Sequence, residues 1–166
     1  PENPSAPAAT MKNWRHFPET RLLLLALPLE ALWEIAQFPL YTAWQENPWG
    51  YILYSLVHCT VGDLLILLVS YELVALLNRA RDWYRKRPML NGLLFTALGA
   101  AYTIYSETVN AGPAGAWDYT EHMPIVPVLG IGLTPLLQWL LIPPLLLGFM
   151  RALPPSGHAR RLSARP

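Results

Sequence analysis

The chain has 166 residues, enough for one domain, and its formal net charge is only +1. Hydrophobic residues make up 53% and charged residues only 14%, whereas soluble domains carry roughly 25% charged residues. This composition excludes an ordinary soluble protein and favours an integral membrane protein. The single cysteine, Cys59, excludes an intramolecular disulfide and a paired-cysteine zinc site.

Four apolar segments follow a polar, proline-rich N-terminal stretch. Residues 1–20 are predicted to be a partly disordered cytoplasmic segment rather than a signal peptide. The apolar segments lie at about 21–41, 51–78, 89–109 and 124–150, and a basic tail occupies 151–166. Each is long enough to cross a hydrocarbon core of roughly 30 Å as a helix, and none alternates with the period of a strand. The predicted fold is therefore an all-α integral membrane four-helix bundle over residues 21–150.

Lysine and arginine predict the orientation of this bundle. All 12 of them lie before or at the very start of the first segment, between the second and third, or after the fourth. The connections at 42–50 and 110–123 contain none. Since basic residues accumulate on the cytoplasmic side, both termini are predicted to be cytoplasmic, in a bacterial inner membrane. Trp83 and Tyr84 are predicted to anchor the inner interface.

Polar residues inside the apolar segments recur at helical spacing, which predicts a polar interior that opens toward the outer side. Asp63 is about 140° from His58 around a helix, so the two face different neighbours or flank the bundle axis. The predicted stripes are Glu30, Glu34, Gln37 and Tyr41 in the first segment; His58, Gly62, Leu65 and Glu72 in the second; Thr96, Gly99, Thr103 and Ser106 in the third; and Pro127, Thr134 and Gln138 in the fourth.

The carboxyl groups in these segments are the side chains that point to a function. A charged side chain at the bilayer centre costs about 2.5–3.5 kcal/mol even on a lenient scale. No lysine or arginine lies within a segment to pair with the acids, so they must be protonated or hold a mobile cation. The Thr and Gln residues have a plainer interpretation, as hydrogen-bonding contacts between helices.

Two overlapping sets of candidate site residues follow. Acid–base catalysis is predicted for Glu34, His58, Asp63 and Glu107. A divalent metal site is predicted from Glu34, His58, Glu107 and His122, with Glu30 and Asp63 as alternatives, although no spacing specifies the metal. Haem is not expected, because His58 is the only histidine in an apolar segment.

The outer connection supplies a third set. The stretch from Trp117 to Pro124 follows a run of Gly, Ala and Pro, and either covers the mouth of the bundle or forms an ordinary interfacial loop. Trp117 and Tyr119, together with Gln138, are candidates for contacting a bound cofactor or lipophilic molecule.

Three functions are compatible with this pattern. The first is a metal- or proton-handling enzyme or cofactor site for a lipophilic substrate such as a lipid, quinone or isoprenoid. The second is a non-catalytic subunit or assembly factor of a larger membrane complex. The third is a proton- or cation-coupled carrier that acts as a homo-oligomer. The lipid bilayer is the expected environment, and no sequence feature favours nucleic-acid binding.

Overall fold

A computed structural model describes residues 17–112 and 115–154, and within these ranges the protein is all-helical. The helices are α1 (Pro18–Gln37), the short α2 (Ala43–Glu46), α3 (Trp49–Asn78), α4 (Pro88–Asn110) and α5 (Leu133–Ala152), with 3₁₀ turns at Phe38–Leu40 and Trp83–Arg85. Residues 1–16 of the predicted N-terminal segment and 155–166 of the predicted basic tail lie outside the described residues, and α1 begins at Pro18, three residues before the predicted start of the first apolar segment.

Three helical stretches in the described part of the chain are long and apolar enough to cross a membrane, which indicates a membrane protein. They are Pro18–Leu40, Trp49–Asn78 and Leu133–Ala152. The helix α4 is also long, at 23 residues, but polar side chains lower its mean hydropathy. The predicted span at 89–109, which corresponds to α4, therefore remains a prediction.

The last long helix starts later than the sequence predicted. The fourth apolar segment was placed from residue 124, whereas α5 begins at Leu133. Pro124, Pro127 and the positive φ of 69° at Gly130 interrupt the helix before that point. Consequently Pro127 does not share a helical face with Gln138, as the spacing had suggested.

The four long helices pack as a closed ring, in which α1 and α4 each contact both α3 and α5. At one end of this ring, called the basic end below, arginine side chains connect segments that are distant in the sequence. There Arg81 forms an ion pair with Glu19 at 2.7 Å, and Arg151 donates to the Tyr84 carbonyl at 2.8 Å and the Pro88 carbonyl at 3.0 Å. The opposite end, where α1 ends and the 111–132 connection lies, is the distal end.

Two aromatic residues of the connection between α3 and α4 are buried in the bundle instead of lying at an interface. Trp83 and Tyr84 are 0% and 1% exposed. The Trp83 ring packs against Tyr71 of α3 and Phe95 of α4, with centroids 5.1 and 5.6 Å away. These two residues are therefore core residues, and the prediction that they anchor a membrane interface was wrong.

Two contacts fix how α4 sits against its neighbours. Asn78 of α3 and Asn91 of α4 exchange side-chain amide hydrogen bonds, each of 3.1 Å, near the basic end. On the other side of α4, the Trp139 indole of α5 lies directly on Gly99. Both contacts hold α4 inside the ring.

Candidate functional site

A cavity of about 410 Å³ lies between the helices toward the distal end. Carboxyl and amide side chains form part of its wall, and aromatic rings form much of the remainder. The polar wall includes Glu34, Asp63, Glu107 and Gln138, and the aromatic wall includes Phe38, Tyr51, Tyr54, Tyr102, Trp117 and Trp139. Among the described residues that line it there is no lysine or arginine.

Gln138 of α5 links acids from two other helices. Its Nε2 donates to Glu30 Oε2 at 2.8 Å and to Asp63 Oδ2 at 3.0 Å. Glu30 and Gln138 are 1% and 2% exposed, so these hydrogen bonds are shielded from the surroundings. The amide therefore supplies neutral donors where a basic side chain would otherwise be expected.

Gln37 makes the corresponding contact for Glu34, a second acid on the inner face of α1. Its Nε2 donates to Glu34 Oε1 at 2.7 Å and to Gln138 Oε1 at 3.2 Å, and its own Oε1 accepts from Trp33 Nε1 at 3.1 Å. The hydrogen bonds thus run in one direction, from the indole through two amides to the carboxyl groups. Glu34 lies beside Asp63 at the end of this chain.

A fourth acid, Glu107 of α4, accepts hydrogen bonds from the outer connection. The Tyr119 hydroxyl and the Trp117 indole both donate to Glu107 Oε2, the indole at 3.3 Å. The Tyr119 oxygen also accepts from the Gly132 N–H at 3.0 Å. Burial, and then the hydrogen bond to Glu107, raise the pKa of Tyr119 well above its ordinary value.

Backbone hydrogen bonds tie the same connection to the end of α1. The Thr42 N–H donates to the Asp118 carbonyl at 3.0 Å, and the Thr120 N–H donates to the Leu40 carbonyl at 2.9 Å. The stretch around Asp118 is therefore fastened across the distal end of the bundle.

The cavity is open mainly on the side formed by α3 and α4. Tyr54 and Tyr102 are 64% and 50% exposed although both line the cavity. His58 and Cys59 are exposed lining residues of α3 as well, and the His58 ring stacks on Tyr54 with centroids 5.6 Å apart. On the distal connection, Ala116 is a further exposed lining residue.

The structure brings most of the predicted site residues together, but not all. Those that line the cavity are Glu34, His58, Asp63, Glu107, Trp117 and Gln138. Glu30 reaches the cluster through Gln138, and Tyr119 reaches it through Glu107. His122 is exposed, does not line the cavity, and has its Nε2 at 3.9 Å from Glu121 Oε1.

The proposed metal ligands do not converge in this arrangement. Within residues 17–112 and 115–154, no three His, Cys, Asp or Glu side chains lie close enough together to hold a metal ion. Glu34 and Glu107 instead accept hydrogen bonds from Gln37, Trp117 and Tyr119. The set of Glu34, His58, Glu107 and His122 therefore stays a prediction that this geometry does not support.

No protein-family profile, curated protein or solved structure matches this chain. The function is accordingly inferred from the cavity and the side chains around it.

Several important residues were not singled out as site residues from the sequence. Gln37 was placed on the polar stripe of α1, where it donates to Glu34 within the same helix, but its hydrogen bond to Gln138 depends on the position of α5. Trp139 and Tyr102 read as ordinary apolar residues of their helices, yet both line the cavity. No local pattern could have identified them, because the wall is assembled from separate helices.

Proposed function

We propose that this chain is a four-span membrane protein whose cavity binds a lipophilic molecule and exchanges protons with it through Glu34 and Asp63. The basic end lies in the cytoplasm and the distal end lies on the outer side. The observation that carries the proposal is the pair of adjacent carboxyl groups on the wall of a largely aromatic cavity, which accept hydrogen bonds from the amides of Gln37 and Gln138.

The distribution of side chains on α4 supports this helix as a membrane span in addition to the three most apolar ones. Its polar face is turned inward, with Asn91, Thr96, Thr103 and Glu107 all buried. Its outward face is apolar and exposed, as at Met89 (88%), Leu93 (69%) and Val109 (59%). The polar groups that lower the mean hydropathy of α4 would therefore not contact lipid, and an apolar surface would. Four spans place both ends of the chain on one side, together with the arginines of the basic end.

The chemistry of the wall favours a lipophilic ligand. Rings such as Tyr54, Tyr102 and Trp139 present apolar faces to the cavity, and binding pockets for small molecules combine such walls with a few polar groups. The volume of about 410 Å³ lies toward the lower end of the range usual for such pockets.

Proton transfer is the chemistry that the polar wall can provide unaided. Two adjacent carboxyl groups without a basic partner favour holding one proton between them. One carboxyl can then donate a proton to an unsaturated carbon or an oxygen of the ligand, while a neighbouring carboxylate accepts a proton from another atom of the same molecule. Atoms and charge balance in such an isomerisation, and no oxidant or reductant is required.

The test is to purify the full chain in lipid nanodiscs, extract it with organic solvent, and identify bound molecules by mass spectrometry. We expect a discrete lipophilic compound, other than bulk phospholipid, in near-stoichiometric amount. Calorimetric titration of that compound in buffers of different ionisation enthalpy should then show protons taken up or released on binding. Asp63→Asn should remove this buffer dependence.

The matched control is Glu72→Gln, which neutralises a half-buried acid of the same helix outside the cavity. It should leave both binding and proton exchange unchanged. A preparation that carries only bulk phospholipid, or binding whose proton exchange survives Asp63→Asn, would contradict the proposal. Constant co-purification with another protein would instead favour a subunit of a membrane complex.

A further inference from the structure

We infer that the ligand enters the cavity sideways from the bilayer, through a gap between α3 and α4, and that it is a lipophile with a flat, conjugated end. The gap is lined by Tyr54, His58 and Cys59 of α3 and by Tyr102 of α4, and is called the lateral portal below. This inference rests on the proposed function, since it assumes that the cavity binds a lipophilic molecule.

Exposure locates the portal. The lining residues on α1 and α5 are mostly buried, with Glu34 at 5% and Gln138 and Trp139 at 2%. By contrast, Tyr54 and Tyr102 line the same cavity and are 64% and 50% exposed. A residue that both lines a cavity and lies on the surface marks its rim, and most of this rim belongs to α3 and α4.

Hydrogen bonds fasten α3 to α4 at the basic end of the gap, and the connection to α1 at the distal end of the bundle. Near the basic end, Asn78 and Asn91 hold α3 and α4 together through two 3.1 Å hydrogen bonds. At the distal end, Thr42 and Thr120 hold the connection against the end of α1. The side of the bundle between these two fastened regions is therefore the route that requires the least rearrangement.

The walls of the portal indicate what passes through it. The Tyr54 and His58 rings are stacked at an interplanar angle of 21°, and Tyr102 faces the same cavity. Aromatic surfaces of this kind favour offset stacking with another flat π system. The cavity has a volume of about 410 Å³, so the remainder of a lipophile too long for it would extend through the portal into the lipid.

Gly62 offers a way to block the cavity without disturbing the helix. It lines the cavity on α3, and a Cβ added there meets no atom within 4 Å. Gly148 of α5 is equally open to a Cβ but does not line the cavity. Gly62→Phe and Gly148→Phe thus form a matched pair, one at the proposed site and one elsewhere.

The experiment uses two photoreactive probes with the same benzophenone group. One is 4-dodecyloxybenzophenone, which dissolves in the bilayer, and the other is water-soluble 4-benzoylbenzoate. The full chain in nanodiscs is irradiated with each probe, and labelled peptides are mapped by mass spectrometry. The lipophilic probe should label peptides that contain Cys59 and Tyr102, and the soluble probe should label them about tenfold less. Gly62→Phe should reduce the lipophilic labelling about tenfold, equivalent to roughly 1.4 kcal/mol, while Gly148→Phe should not.

Labelling concentrated on residues 115–120, or equal labelling by the soluble probe, would overturn the lateral portal and indicate entry from the distal end. If Gly62→Phe does not fold, Cys59→Phe provides a second block at an exposed position of the portal. The two proposals fail separately. If the portal is labelled as expected but binding shows no Asp63-dependent proton exchange, only the proton chemistry is wrong. If that proton exchange is observed but the portal is not labelled, only the lateral portal is wrong.

Discussion

The indole of Trp139 packs against the α4 backbone at Gly99, so closely that a methyl group at residue 99 would lie 2.0 Å from Trp139 Cε3. Trp139 also lines the cavity, at its α4–α5 wall. The packing of two helices and the shape of the proposed site thus depend on the same ring.

Gly99→Ala is expected to destabilise the bundle by about 2 kcal/mol or more, because neither the buried ring nor the helix backbone can move aside cheaply. Thermal unfolding in detergent, followed by circular dichroism, measures the change. Gly148→Ala is the control, since a Cβ there meets nothing within 4 Å. Equal melting temperatures for the two variants would contradict the described contact.

Gln138→Leu should destabilise the protein by about 1–3 kcal/mol, because the carboxyl groups of the buried Glu30 and the half-buried Asp63 lose their amide donor. Unfolding free energies in detergent provide the measurement. The control is Gln45→Leu, at an exposed position of α2. A Gln138→Leu variant as stable as the control would show that the amide does not support these carboxyl groups.

Tyr119→Phe removes a hydroxyl that donates to Glu107 and accepts from Gly132. We expect the distal connection to open more readily by about 1–2 kcal/mol, with faster amide hydrogen exchange over residues 115–132. The matched control is Tyr105→Phe, at a ring that is 64% exposed. Unchanged exchange over the connection in Tyr119→Phe would contradict a fastening role.

The raised pKa of Tyr119 predicts how the contribution of its hydroxyl group to stability depends on pH. Its folded pKa lies above the unfolded value of about 10, so the stabilisation is complete below pH 10 and declines as the pH rises through the folded value. The stability difference between the wild type and Tyr119→Phe should therefore be constant from pH 6 to 9 and shrink in stronger alkali. A difference that changes between pH 6 and 8 would point to another titrating group.

How well the sequence predicted the interior depended on the helix. The stripe of Glu30, Glu34 and Gln37 is part of the buried face of α1, since polar residues at helical spacing stand out among apolar ones. The predicted stripe of α3 was correct only in part: His58 and Gly62 line the cavity, but His58 is also exposed and Leu65 is 57% exposed. That helix is apolar nearly all round, so its sequence does not specify which side faces inward.

Contacts between distant segments account for most of what the sequence could not predict. Gln138 meets Glu30 and Asp63 only because α5 packs beside α1 and α3. Similarly, Tyr119 was grouped with Trp117 as a contact for a bound cofactor or lipophilic molecule, but its hydroxyl group donates a hydrogen bond to Glu107. Helical periodicity determines which residues share a face of one helix, and it carries no information on which faces meet.

The length of α3 makes the protein sensitive to membrane thickness. Its 30 residues extend roughly 45 Å, well beyond a hydrocarbon core of about 30 Å, so in a bilayer this helix must tilt or protrude. Because Asn78 joins it to Asn91 near the basic end, a change in tilt moves the half that carries Tyr54 and His58. A change in bilayer thickness would therefore change the spacing between α3 and α4 at the lateral portal.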